Sequence, residues 1–166
     1  MTLLEEDKKE ENKVKIPMRL NYSEVSPGVI KAMMGLENHA RKSGLEPSLL
    51  ELVKVRASQL NGCAYCLDMH TKDARAKGET EQRLYGLSAW REAPYYTARE
   101  RAALAFTESV TLITMSHVSD EEFNMARKEF SEKELVDLTL AIVAINGWNR
   151  LAIAFRSEAG HYRPRT

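Results

Sequence analysis

The chain has 166 residues, of which 43% are hydrophobic and 29% are charged. A chain of this length can bury one domain-sized core, and this composition is too apolar for intrinsic disorder. The 24 basic and 24 acidic residues cancel to a formal net charge of zero, so no overall basic field points to a nucleic-acid partner.

The chain opens with a charge-dense segment of mixed sign, residues 1–15, which lacks the apolar core of a signal peptide. We expect it to be a mobile tail, followed by an extended arm or loop over residues 15–25. The longest strongly apolar run, 138–145, is far shorter than the roughly 20 residues that span a membrane. We therefore expect a cytoplasmic protein without a membrane partner, folded over residues 16–160 and ending in a polar tail, 161–166.

Helix-start and helix-stop signals divide the folded part into about seven helices. The starts are a Ser-Pro pair and capping-box patterns, in which Ser or Thr precedes Glu by three positions, and the stops are glycines. The starts stand at Ser26-Pro27, Thr97, Ser119 and Ser131, and the stops at Gly44, Gly62 and Gly78. The predicted helices span residues 26–42, 47–60, 64–77, 80–90, 97–115, 120–130 and 132–156. No strand hairpin is recognisable, so the predicted fold class is all-α, a single-domain helical bundle.

The only two cysteines, Cys63 and Cys66, form a CxxC motif at the start of the helix predicted over 64–77. On that helix Cys63, Cys66 and His70 stand at positions i, i+3 and i+7 and share one face. The two cysteine Cα atoms would lie roughly 5 Å apart, inside the range of about 4.4–6.8 Å that a disulfide tolerates. In a reducing compartment such a pair is typical of redox or metal chemistry.

Two neighbouring features can activate these thiols, but they favour different cysteines. The positive end of the helix favours a thiolate at Cys63. His70 lies one turn after Cys66 and can accept its proton directly or through one water, and Glu51 on the preceding helix can orient that imidazole. The histidine spacing favours Cys66 as the thiolate that attacks a peroxide O–O bond, after which Cys63 would close a disulfide.

Other interpretations of the same residues stay open. The two thiols can be inert core residues, or Cys63, Cys66, His70 and Glu51 can together bind zinc. Glu51 can instead close a capping box with Ser48. The disulfide can also serve a non-catalytic redox sensor or a structural interaction protein. We favour a redox enzyme that needs neither a metal nor an organic cofactor.

The pattern Glu51-x11-Cys63-x2-Cys66-x3-His70, with the GCAYCLDMH core and NGWNRLAIAF near the C-terminus, resembles the AhpD-like alkylhydroperoxidases of the carboxymuconolactone decarboxylase superfamily. The resemblance extends over residues 20–160 and implies an all-α fold that assembles into trimers or hexamers. It also implies that Cys66 is peroxidatic, that Cys63 resolves, and that Glu51 and His70 relay protons to Cys66. The best-known members carry a second histidine between the cysteines, where this chain has Tyr65.

The function implied by this resemblance is thiol-dependent reduction of alkyl hydroperoxides, an antioxidant activity. Small organic hydroperoxides are the expected substrates. A dithiol reductant, which is a lipoyl-bearing adaptor in the best-known members, would restore the two thiols. The lactone chemistry of the decarboxylase branch is not expected, because that branch does not use a CxxC motif.

Overall fold

The computed structural model describes Val14 and residues 16–164, and this part of the chain contains nine α-helices, one 3-10 helix and no β-strand. The helices are α1 (Tyr22–Val25), α2 (Pro27–Lys42), α3 (Pro47–Asn61), α4 (Ala64–Ala76), α5 (Glu81–Gly86), α6 (Ala98–Thr111), α7 (Ile113–Ser116), α8 (Asp120–Glu129) and α9 (Glu132–Phe155), with the 3-10 helix Leu87–Ala89 after α5. The prediction of an all-α fold is confirmed.

Two differences raise the number of helices from about seven to nine. The arm predicted over residues 15–25 contains α1, whose Tyr22 ring packs against the Phe155 ring at a centroid distance of 5.4 Å. The helix predicted over 97–115 is interrupted at Leu112, where φ is −98° and ψ is 31°, and resumes as α7. The mobile tail predicted over residues 1–15 lies outside the described residues except for Val14.

All three capping boxes predicted after residue 90 form. The hydroxyls of Thr97, Ser119 and Ser131 each accept a hydrogen bond from the backbone N–H three residues later, and the glutamate there accepts one from the cap residue's N–H. These reciprocal bonds satisfy two backbone donors at a helix start, which explains why α6, α8 and α9 begin where the sequence predicts.

Helix α9 is the centre of the domain. It packs against α2, α3 and α6 and also contacts α4 and α8. Leu138, Ile142 and Ile145 on this helix are fully buried. By length and composition alone α9 could cross a membrane, but its burial among other helices is also typical of the core helix of a globular domain.

The junction between α3 and α4 places the CxxC motif. Gly62 ends α3 in a left-handed conformation, with φ 68° and ψ 33°, and its N–H bonds to carbonyls of the last helical turn. The next residue, Cys63, donates its backbone N–H to the Ser58 carbonyl at 3.0 Å and is the N-cap of α4. Because Gly62 alone separates the last residue of α3 from the N-cap of α4, the thiols are held at the start of α4.

We expect Gly62→Ala to lower the free energy of unfolding by roughly 1–2 kcal/mol, because a Cβ strains a left-handed residue even where space is open. No heavy atom lies within 4 Å of a Cβ built at Gly62. Gly28 on α2 is the matched control, since its Cβ position is equally open and its backbone is helical. There an alanine should raise stability by about 0.5–1 kcal/mol. Urea unfolding measures the free energy of unfolding of both variants. A change of the same sign in Gly62→Ala and Gly28→Ala would contradict a backbone role for Gly62.

Candidate redox site

The four residues singled out by the sequence lie on two adjoining helices. Glu51 lies within α3, Cys63 caps α4, and Cys66 and His70 lie on the first two turns of α4. All four are buried, and each cysteine is only 1% exposed. Both thiols are free in this structure.

Glu51 contacts the imidazole directly. Its Oε2 lies 2.9 Å from His70 Nδ1, and its Oε1 accepts a hydrogen bond of 2.6 Å from the Lys77 ammonium. The capping box expected for Glu51 is absent, because α3 begins at Pro47 with Glu46 as its N-cap and no side-chain cap hydrogen bond. The Glu51 carboxylate therefore serves the histidine and a lysine rather than the helix start.

The charge of Glu51 is secured by these partners. Burial favours the neutral acid, but the hydrogen bond and charge of His70, the charge of Lys54 and the hydrogen bond from Lys77 outweigh it and lower the pKa of Glu51 to about 2. At neutral pH a carboxylate thus accepts the Nδ1–H of His70. This bond leaves Nε2 as the nitrogen that can exchange a proton with a reacting group.

The two thiols act on each other's pKa through a hydrogen bond between the side chains. The bond from Cys66 lowers the pKa of Cys63 to about 7, against the effect of burial, while the same bond and burial raise the pKa of Cys66. The backbone N–H groups of Tyr65 and Cys66 also favour the Cys63 thiolate. They do so without a hydrogen bond that would make the Cys63 side chain a helix cap. Of the two thiols, Cys63 is therefore the one that ionises first, while Cys66 keeps its proton.

His70 is not among the groups that set the protonation of Cys66 in the described part of the chain. Those groups are the Cys63 thiol, burial and the Asn149 side chain, all of which act on the pKa of Cys66. A proton that passes between Cys66 and His70 can travel directly or through a bridging water or a substrate oxygen. The relay and the separate roles of the two cysteines stay predictions.

A buried polar network on α9 was missed by the sequence analysis. Asn149 is fully buried, and its Oδ1 accepts a hydrogen bond of 2.8 Å from Asn61 Nδ2. Its Nδ2 donates to Ser58 Oγ at 3.0 Å. Asn61 also donates to Asn146 Oδ1 at 3.0 Å. The available signal was two asparagines three residues apart on an otherwise apolar helix, since buried amides must find partners.

The zinc alternative is not favoured by the geometry. Among the described residues, the group whose ligand atoms lie within 4.8 Å of one another consists of Glu51, His70 and Asp73 and includes neither cysteine. The Lys77 ammonium already lies 2.6 Å from the Glu51 carboxylate and would repel a cation there. The arrangement fits an ion-paired histidine better than a metal centre.

Comparison with known proteins finds a matching family, a similar curated sequence and a similar solved structure. Residues 27–109 match the carboxymuconolactone decarboxylase family. The uncharacterised protein YdfG of Bacillus subtilis is 46% identical over 141 residues, which is 85% of this chain and 96% of YdfG. A crystal structure of a protein of unknown function from Agrobacterium tumefaciens, provisionally described as the antioxidant defence protein AhpD, is also 46% identical, with a TM-score of 0.85 over 88% of this chain and 100% of that one.

A more distant neighbour has the same fold. An uncharacterised peroxidase-related protein from Silicibacter sp. TM1040 is 21% identical and superposes with a TM-score of 0.74 over 90% of this chain and 95% of that one. The chain therefore belongs to the carboxymuconolactone decarboxylase family and has the AhpD-like all-α fold. The family resemblance noted in the sequence is confirmed.

Acid should weaken the domain through Glu51. Since its pKa is lowered from 4.5 to about 2, the ionised carboxylate stabilises the folded state fully above about pH 4.5, and that stabilisation is lost as pH falls toward 2. We expect Glu51→Gln to lower the free energy of unfolding at pH 7 by about 2–3 kcal/mol and to flatten its decline between these pH values. Denaturant unfolding across pH tests this, with the exposed Glu24→Gln as control. Parallel pH profiles for wild type and Glu51→Gln would contradict it.

Proposed function

We propose that this protein is a thiol-dependent peroxidase that reduces small organic hydroperoxides through a Cys63–Cys66 dithiol/disulfide cycle. The observation that carries the proposal is the buried thiol pair, which shares one hydrogen bond and in which the pKa of Cys63 is lowered to about 7. The thiolate is the nucleophilic form of cysteine, so this pair is reactive near neutral pH. The similarity to a protein provisionally described as AhpD agrees with this chemistry.

The proposed reaction has two steps at sulfur. A thiolate attacks one peroxide oxygen, the O–O bond breaks, and the other oxygen leaves as an alkoxide that takes a proton to become an alcohol. The attacking sulfur is thereby oxidised to a sulfenic acid. The second cysteine sulfur then attacks it, water leaves, and a disulfide forms. An external dithiol returns two electrons and two protons and restores the pair.

We assign attack to Cys66 and resolution to Cys63, as the sequence predicts. Because the resting charge lies on Cys63, the proton held by Cys66 must cross their hydrogen bond as Cys66 attacks. His70 lies one turn after Cys66 on the same helix, so we assign it as the acid that protonates the departing alkoxide. Glu51 would balance the charge of the imidazolium, and Lys77 holds the second oxygen of that carboxylate.

The partners follow from the same chemistry. A buried disulfide needs a reductant whose dithiol can reach it, and we propose a small dithiol such as a lipoyl group on an adaptor. We also propose a reducing, cytoplasmic setting, in which a CxxC pair can be returned to its dithiol form. We further propose a homo-oligomer, a trimer or hexamer, as the resemblance implies.

Single cysteine variants test the assignment. We expect Cys66→Ser to lose peroxide turnover, and Cys63→Ser to consume one equivalent and stop with a sulfenic acid on Cys66, because no resolving thiol remains. Organic hydroperoxide consumption is followed with excess dihydrolipoamide for wild type and Cys66→Ser. For Cys63→Ser it is followed without added thiol, because an external thiol would itself reduce the sulfenic acid. A dimedone-type probe with mass spectrometry, also without added thiol, locates the sulfenic acid. His70→Gln should slow turnover by about 10²–10⁴-fold, the usual contribution of a general acid.

Two outcomes would contradict parts of this proposal. Sulfenic acid on Cys63 in the Cys66→Ser variant, with none on Cys66 in Cys63→Ser, would reverse the two roles. If the wild-type protein consumed a single peroxide equivalent under excess reductant and then stopped, the proposed peroxidase function would be wrong. The protein would instead be a non-catalytic redox sensor.

A further inference from the structure

We infer that Asn149 on α9 stabilises the thiolate of the cysteine pair by donating a side-chain N–H to the sulfurs, and so acts directly on the reacting atoms. This inference deepens the proposed thiol chemistry and rests on it. It assigns a function to a residue outside the Glu51, Cys63, Cys66 and His70 constellation.

The position of Asn149 on its helix brings it to the thiols. Ile145, Asn149 and Ala152 stand at i, i+4 and i+7 and share one face of α9. Ile145 and Ala152 pack in one buried cluster with Cys63 and Cys66. Asn149 lies between these two contacts and is itself fully buried, so it brings a polar group to an otherwise apolar wall beside the sulfurs.

The neighbours of Asn149 fix the direction of its amide. Its Oδ1 must point at Asn61, because Asn61 Nδ2 donates to it at 2.8 Å. One hydrogen of Nδ2 goes to Ser58 Oγ at 3.0 Å. An amide nitrogen carries two hydrogens, so the second is available to the sulfurs of the neighbouring buried cluster, in line with the contribution of the Asn149 side chain to the pKa of both thiols. The amide is therefore oriented before any reaction begins, as efficient stabilisation of a developing charge requires.

Asn149 acts on both cysteines. The pKa of Cys63 is set first by the Cys66 side chain, by burial and by the Cys66 backbone N–H, and the Asn149 amide lowers it further. The same amide lowers the pKa of Cys66, against the larger raising effects of the Cys63 thiol and burial. A donor common to both sulfurs favours the negative charge on either one. It can therefore support the thiolate at rest on Cys63 and equally after the proton has crossed from Cys66.

Two variants and one matched control test the inference. Asn149→Ala removes the side-chain N–H donor. Asn149→Asp also removes this donor, but it keeps an oxygen that can accept from Asn61 and adds a negative charge. The control is Thr111→Val, because the Thr111 hydroxyl accepts from Asn146 Nδ2 at 3.0 Å and so belongs to the same buried network without contacting the thiols. The readouts are the pH titration of thiolate ultraviolet absorbance in the reduced protein and the disulfide reduction potential.

We expect the thiolate midpoint to rise by about one pH unit in Asn149→Ala, which leaves about tenfold less thiolate below the midpoint, and by more in Asn149→Asp. The disulfide should become harder to reduce in both, because the thiolate form of the dithiol loses a stabilising contact. Thr111→Val should keep the wild-type titration. If both Asn149 variants fold and their thiols titrate as in wild type, the inference is overturned. It is also overturned if the thiolate midpoint of Thr111→Val shifts as much as those of the Asn149 variants.

A measurement on wild type covers the case in which neither Asn149 variant folds. The side-chain amide NMR signal of Asn149 should shift over the pH range in which the thiols titrate, and a pH-independent signal would overturn the inference. None of these readouts needs a peroxide. A protein whose thiols titrate as expected but which turns over no hydroperoxide would therefore sink the proposed function and leave the role of Asn149 standing.

Discussion

The interaction between the Cys66 and Cys63 thiols is the one on which the proposed chemistry of this site depends. A negative charge on a sulfur that is 1% exposed would be strongly disfavoured without compensation. The compensation comes from the neighbouring thiol, from backbone N–H groups at the start of α4 and from one buried amide. These contacts exist because Gly62 ends α3 sharply enough for Cys63 to cap the next helix.

The buried charged side chains around the site are also paired with partners. Glu51 is held between His70 and Lys77. Nearly one turn further along α3, the almost fully buried Lys54 ammonium lies 2.5 Å from Glu37 on α2. Buried ions cost several kcal/mol each unless they are paired in this way. The interior of the domain thus holds a proton donor or acceptor, His70, next to a permanent carboxylate, and keeps both away from bulk water.

Local sequence signals predicted most of the fold and the members of the site. The capping boxes at Thr97, Ser119 and Ser131 could be predicted because their hydrogen bonds join residues three positions apart. The shared face of Cys66 and His70 follows from helix periodicity, and Cys63 lies just before them as the N-cap of α4. In contrast, α1 depends on the packing of Tyr22 on Phe155, and the contacts of Lys77 and Asn149 depend on how α3, α4 and α9 lie against one another. Such tertiary contacts leave no periodic trace in a single sequence.

The most direct measurement is pH-dependent alkylation of the reduced wild-type protein, with mass spectrometry resolving Cys63 from Cys66 and the unfolded chain as reference. We predict that Cys63 alkylates first, with a midpoint near pH 7, and that Cys66 is labelled only at higher pH. In the unfolded chain both should titrate near the free-thiol value of about 8.5. If both cysteines of the folded protein also titrated at that value, the thiol pair would carry no stabilised charge and the peroxidase proposal would lose its physical basis.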